Sequence, residues 1–384
     1  MPRKRICIIS YSPIESDGRV LRQIEYLAPH YDLTVIGFGD QPDLSGVDWR
    51  LFPYRDTPLS KVIRNGLQTI GRVFPTAYDL LEIARARYWI TRRAVHARPD
   101  AVLADDLSAL PVAAHIARQQ GAKLVFDAHE FSPLEQETPK FKRLETPNRM
   151  YVLHKYGQQA DATLTVCAPI AERYAREYGF HPQVIMSAPK ATPVPDHPVA
   201  AERMRLIYHG VYQRERGIEA MIRAVALADA RYELHLMLII QPAHLAELRA
   251  FSEQIAPGRV VFHEPVAPAQ IVPRIADYDI GIYIQPPTTY NFSVVLPNKF
   301  FEFMMAGLAV IIGPTETMSR IVDAYGFGCA APSFDPSAVA ALLNGLTVEQ
   351  ITALRAQARV AAQAINADTE MAKLITLIKQ VLGE

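Results

Sequence analysis

The sequence predicts an α/β protein of two domains, each an open, doubly wound parallel sheet with helices on both faces, set side by side around a central cleft. Three observations carry that expectation. Short apolar runs ending in small or polar residues alternate with amphipathic helical stretches, the pattern of parallel sheets covered on both faces. The chain has 384 residues, and at about one domain per 150 residues this suits two domains, each large enough for its own core. The stretch from Ser187 to Pro198 has prolines at positions 189, 193, 195 and 198, too many for a helix or a central strand. It divides the pattern into a first domain over 1–188, a linker over 189–198 and a second domain over 199–365. A last helix over 366–384 has the option of packing back on the first domain.

In the first half the expected strands are Ile6 to Ser10, Leu33 to Gly37, Ala101 to Ala104, Lys123 to Asp127 and Thr163 to Cys167. In the second they are Leu206 to His209, Glu233 to Ile240, Val260 to His263, Ile280 to Ile284 and Ala309 to Ile312. Ligands of open α/β sheets bind beyond the carboxyl ends of the strands, so the polar residues there are the site candidates. They are Ser10 with the loop to Asp17-Gly18-Arg19, Asp105-Asp106, Asp127-Ala128-His129-Glu130, His209-Gly210, His263-Glu264 and Gln285. The loop after the first strand has one glycine, Gly18, where a dinucleotide-binding fingerprint needs three. That disfavours a nicotinamide enzyme.

Forty Lys and Arg balance forty Asp and Glu, so the chain lacks the basic field expected of a nucleic-acid partner. Cys7, Cys167 and Cys329 are odd in number, far apart and without metal-ligand spacing, which suits free thiols in a reducing cytoplasm. The apolar run after Met1-Pro2-Arg3-Lys4-Arg5 is too short for a signal peptide and reads as a first strand. No uninterrupted apolar segment approaches the ~20 residues that span a bilayer.

The segment Leu296-Pro297-Asn298-Lys299-Phe300-Phe301-Glu302-Phe303-Met304 places one carboxylate in an otherwise apolar helix. Pro297 suits the first turn, where its missing donor costs nothing, and Asn298 and Lys299 then present free backbone N–H groups to an anion such as phosphate. Glu302 follows one turn later, within reach of a sugar beside that phosphate. An unpaired buried carboxylate is costly, and the vicinal hydroxyls of a ligand would satisfy it. The alternative is an ordinary crossover helix whose Glu302 faces water.

These residues resemble glycosyltransferase family 4, the retaining nucleotide-sugar transferases of the GT-B fold with two Rossmann-like domains. The resemblance runs from Ser16-Asp17-Gly18-Arg19-Val20-Leu21-Arg22-Gln23 through Val125-Phe126-Asp127-Ala128-His129-Glu130 and Tyr208-His209-Gly210 with Arg216-Gly217-Ile218-Glu219 to the Glu302 segment. It implies that Glu302 accepts hydrogen bonds from the ribose hydroxyls. Arg216 falls at the basic position on the donor diphosphate, and Gly18 and Gly210 fall at glycines that let backbone approach the donor. His129 falls near the transferred sugar, with Glu130 beside it, and Pro265 and Val266 fall where the nucleobase meets backbone. Two positions depart from the family pattern. Val294 stands where a first glutamate faces the sugar hydroxyls, with Asn291 and Ser293 as nearby substitutes. Val211 and Tyr212 stand where an arginine is usual, with Arg214 as the nearby replacement.

The resemblance implies transfer from a UDP- or GDP-sugar to a glycan or lipid-linked acceptor hydroxyl, in cell-surface polysaccharide or glycolipid synthesis. No cofactor or metal is expected, because Arg216 and the helix start supply the positive charge. Adjacent Asp105 and Asp106 point to opposite sides of an extended chain and do not readily share one ion. The enzyme is expected in the cytoplasm, with a peripheral position on the membrane as an option. Between Arg55 and Arg98, nine basic residues intermix with Leu67, Ile70, Phe74, Tyr78, Leu81, Tyr88 and Trp89, which suits either anionic lipid or a solvated helix face. Two alternatives stay open: a UDP-sugar epimerase of the same fold, and an inactive nucleotide-sugar-binding protein.

Overall fold

A computed structural model describes residues 2–52, 74, 76 and 98–384. The basic and aromatic segment considered for membrane contact lies almost entirely outside the described residues. The chain forms two compact units, one of Met1–Met186 with Glu370–Glu384 and one of Ser187–Thr369.

The first unit is built on seven strands: β1 (Arg5–Pro13), β2 (Asp32–Phe38), β3 (Val47–Phe52), β4 (Ala101–Asp105), β5 (Lys123–Asp127), β6 (Ala162–Thr165) and β7 (Gln183–Val184). They lie in the order β3-β2-β1-β4-β5-β6-β7, and every pair is parallel. The direction of winding reverses between β1 and β4, so the switch point falls at the ends that carry Ser10 and Asp105. Ile6, Ile8, Val35, Leu103 and Val125 are buried in one core cluster, each contributing about 1.5–3 kcal/mol by leaving water. The final helix, Ala367–Leu382, adds Met371, Leu374 and Ile378 to the same cluster.

The second unit has six strands: β8 (Met204–Val211), β9 (Tyr232–Ile239), β10 (Val260–His263), β11 (Ile280–Tyr283), β12 (Ala309–Ile312) and β13 (Gly328–Ala330). Their order is β10-β9-β8-β11-β12-β13, again parallel throughout. The switch point lies between β8 and β11. The helix Asn298–Met305 crosses β11 so closely that a Cβ on Gly281 would come within 2.3 Å of the Phe303 ring. Buried Arg355 bonds the carbonyls of His197 (2.8 Å) and Gly307 (3.3 Å), and His197 Nε2 meets Asp279 at 3.2 Å. These bonds fasten the proline-rich stretch to the second unit.

Every strand expected from the sequence is present to within three residues at either end. The strands β3, β7 and β13 were not expected. β3 and β7 close the edges of the first sheet and β13 one edge of the second, and none shows the continuous apolar run of a central strand.

Candidate functional site

In the second unit, β8 delivers Tyr208 and His209 to the switch point and β11 delivers Tyr283. The helix Asn298–Met305 starts there. Its N-cap is Pro297 in an extended conformation, so Asn298, Lys299 and Phe300 are its first three residues and Pro297 caps rather than opens it. No side chain caps this start, which leaves backbone donors for a ligand anion. Asn298 is exposed and Lys299 is buried.

Glu302 is half-buried, its side chain 16% exposed, with Oε2 3.3 Å from His209 Nε2. Burial and the nearby Lys299 charge push His209 down to about 3, so the imidazole is neutral. No neighbour of Glu302 is visible close by in the sequence. His209, distant in sequence, lies alongside it.

The turn after β8 carries Arg214 and Arg216 and ends at Gly217, whose φ is +71°. A Cβ on Gly217 would stand 2.3 Å from the Ile284 carbonyl oxygen. Only glycine combines that left-handed conformation with that proximity, and the turn is thereby pressed against the end of β11. Arg216 Nε donates to Gln213 Oε1 at 2.9 Å, and its charge acts on Tyr208, Tyr283 and Lys299. Arg214 is on the same turn but lies 3.7 Å from exposed Glu247. The cation beside Lys299 is Arg216.

In the first unit, Arg19 clamps Asp127 with Nε at 2.8 Å and Nη2 at 2.9 Å, and Nη1 reaches the Ile185 carbonyl at 2.8 Å. Gln23 Nε2 adds a short bond to the same carboxylate. His129 Nε2 lies 2.8 Å from Asp105 and 3.4 Å from Asp127. Burial opposes the charge on His129, but Asp105 and Asp127 overcome it and raise its pKa well above the usual histidine range. Burial likewise opposes the Asp127 charge, and Arg19 and His129 hold its pKa below the ordinary carboxylate value. Asp127 is thus a buried anion clamped by Arg19, while burial raises the Asp105 pKa above the ordinary carboxylate value against the opposing pull of His129. Glu130 is exposed as a residue; crowding by protein atoms, Glu135 and Asp106 pushes its carboxyl up to about 7.

The acids that converge are Asp105 and Asp127, partners across β4 and β5, rather than adjacent Asp105 and Asp106. Together with His129 their ligand atoms lie within 4.8 Å of one another, close enough for a metal. An ion there would have to displace the His129 proton and compete with Arg19.

Two family models divide the chain between them. One, described as a glycosyl transferase 4-like domain, matches residues 18–189, and the other, glycosyl transferases group 1, matches residues 203–347. The chain belongs to the group 1 glycosyltransferases. Its two parallel α/β sheets are those of the GT-B fold. Similar solved structures include sucrose-phosphate synthase from Thermosynechococcus elongatus, with a TM-score of 0.76 at 16% identity over 99% of this chain and 100% of that one. HepE from Anabaena, solved with UDP and glucose, gives 0.67 at 14% identity over 98% and 100%. A trehalose 6-phosphate synthase from Burkholderia multivorans gives 0.68 at 11% identity over 100% and 99%. At such identities the likeness is one of fold. No curated protein matches the chain.

For this glycosyltransferase the remaining sequence candidates fall as follows. Gly18 opens the helix Gly18–Leu27, whose N-cap Asp17 accepts from the Arg19 and Val20 N–H groups at 3.1 and 3.2 Å. Gly210 ends β8 next to the Lys299 amine. Pro265 and Val266 follow β10, the edge strand, two strands away from β8. Val294 is buried, and the Ser293 hydroxyl is taken by the Tyr290 carbonyl at 2.7 Å, so Ser293 is a poor substitute for a sugar-facing carboxylate. Asn291 is buried as well. Tyr208, Tyr283 and Gln23 were not singled out as site residues, whereas His209 and Arg19 were among the strand-end candidates without their partners being foreseen. The signal for His209 was its position at the end of a strand; nothing local pointed to Gln23, or to Asp127 as the partner of Arg19 and Gln23, more than a hundred residues away.

Proposed function

We propose that this protein is a retaining glycosyltransferase that moves a sugar from a UDP- or GDP-sugar to an acceptor hydroxyl. The observation that carries this reading is the arrangement at the second switch point. A helix start without a side-chain cap, the Arg216 cation and the Glu302 carboxylate one turn further occupy a single strand edge. A diphosphate fits the Arg216 cation and the backbone N–H groups, and a ribose diol fits the two carboxylate oxygens. HepE, of similar fold, was solved with UDP and glucose, which supports UDP among the bases.

Retention through same-face attack suits the first unit's chemistry. Asp105 and Asp127 are 1% and 0% exposed and bound to His129 and Arg19, so neither is available as a nucleophile. The departing diphosphate then takes the acceptor proton, and Arg216 offsets the negative charge that grows on it. His129, as an imidazolium, donates a hydrogen bond to a sugar or phosphate oxygen and does not act as a base. No metal is required on this reading, since Arg216 and the helix start supply the positive charge for the diphosphate. The acceptor is a glycan or a lipid-linked sugar of a surface polysaccharide or glycolipid. Among the described residues no single helix is long and apolar enough to cross a membrane, and a peripheral position on the cytoplasmic face suits a lipid-linked acceptor.

The test is incubation with labelled UDP-, GDP-, ADP- and dTDP-sugars and oligosaccharide or lipid acceptors, with and without chelator, followed by NMR of the anomeric centre. A product of retained configuration, formed equally with chelator, is expected. Isomerised donor without transfer would identify an epimerase, and binding without transfer or hydrolysis would identify an inactive binding protein.

A further inference from the structure

Lys299 is 6% exposed. Its ammonium sits 5.0 Å from the centre of the Tyr208 ring, 5.3 Å from that of Tyr283 and 3.4 Å from where a Cβ on Gly210 would stand. Ring faces attract a cation but carry no net counter-charge. Among the described residues no hydrogen bond or ion pair holds this ammonium. The groups facing it are Tyr208 and His209 from β8, Arg216 from the turn, Tyr283 from β11 and Glu302 from its own helix. On the neighbouring helices, Arg355 and Arg359 meet Gly307 at the far end, and Arg274 acts on His263 and Tyr278. Glu302 faces this buried amine without pairing with it, which leaves room for a ligand anion.

We propose that the Lys299 side chain is a second cation of the diphosphate site, alongside Arg216, and that it takes up a proton from solvent when the donor binds. The inference rests on the nucleotide-sugar reading above. Without ligand, burial and the Arg216 charge push Lys299 down to about 7, and Glu302 offsets this only in part. A diphosphate brings two negative charges next to the amine and raises its affinity for a proton. By linkage, binding then consumes a proton and weakens as pH rises above the free value, by up to about tenfold per pH unit until the bound form also titrates. The mixed diphosphate ester of a nucleotide sugar has no proton to gain near neutrality, so the uptake belongs to the protein.

The test is isothermal titration calorimetry near pH 8 in buffers of different ionisation enthalpy, with UDP-glucose, GDP-mannose, ADP-glucose and dTDP-glucose as probes. At that pH about a tenth of Lys299 carries a proton before binding, so nearly one proton per ligand is expected to be taken up. Lys299→Met should bind about tenfold more weakly or worse with no uptake. Lys299→Arg, charged throughout, should bind without uptake and with a flat pH profile. Binding by the wild type with no uptake, or uptake unchanged in Lys299→Met, would overturn this inference and leave the donor reading standing. Failure of all four probes to bind would overturn both.

Discussion

His209 Nε2 stands 3.3 Å from Glu302 Oε2, with the imidazole held neutral by burial and the Lys299 charge. Because a neutral ring forms no ion pair with it, the carboxylate remains a full acceptor for a ligand. Glu302→Ala should weaken nucleotide binding by about 1.5–3 kcal/mol, the worth of hydrogen bonds to a charged group. Calorimetric titration of UDP or GDP checks this, and wild-type affinity would remove the ribose assignment.

In the proposed mechanism Arg216 answers charge that appears only as the glycosidic bond breaks. Arg216→Ala should slow turnover at saturating donor by about 2.7–4 kcal/mol, a hundred- to thousandfold. Steady-state kinetics that show only a raised KM would assign it to ground-state binding instead.

The turn that carries Arg216 depends on Gly217. Gly217→Ala imposes both a left-handed residue and a collision with the Ile284 carbonyl, and should cost about 1–3 kcal/mol. The prediction is a lower melting temperature together with weaker nucleotide binding, because Arg216 is adjacent. Unchanged values of both would show that the turn tolerates a side chain.

The Arg19–Asp127 pair is buried, with side chains 6% and 0% exposed. Removing one partner leaves an uncompensated buried charge, so Arg19→Met should destabilise the protein by about 3–5 kcal/mol in denaturant titration.

His129 and Asp127 give opposite pH signatures. His129 has a raised folded pKa, so its stabilising contribution is complete below its unfolded value, about 6.5, and is lost as pH rises through the higher folded value. Asp127 has a lowered folded pKa, so its contribution is present above about 4 and is lost as pH falls through the depressed value. The stability deficit of His129→Gln against wild type should therefore be largest near pH 5 and shrink in alkaline buffer. A deficit that grows with pH would contradict a protonated His129.

The central strands were legible because strands buried on both faces read as short continuous apolar runs, as Val310-Ile311-Ile312 does. The edge strand β3, Val47–Phe52, alternates charge and aromatic residues and has partners on one side only. The Glu302 helix was legible from its single carboxylate and its proline start. His209 as its neighbour, Lys299 between two tyrosine rings and the clamp of Arg19 on Asp127 all depend on strand order, which local sequence does not encode. Arg214 shows the same limit: two arginines two residues apart look equivalent in the sequence, but one meets Glu247 and the other the switch point.

The central claim is that the second switch point holds a nucleoside diphosphate sugar with its ribose on Glu302. The most direct measurement is a thermal-shift panel of UDP-, GDP-, ADP- and dTDP-sugars on the wild type and on Glu302→Ala, because a ligand of the folded state raises its apparent stability by mass action. A shift with one base family in the wild type, lost or strongly reduced in Glu302→Ala, is the predicted result. No shift with any nucleotide sugar, or an equal shift in both proteins, would contradict it.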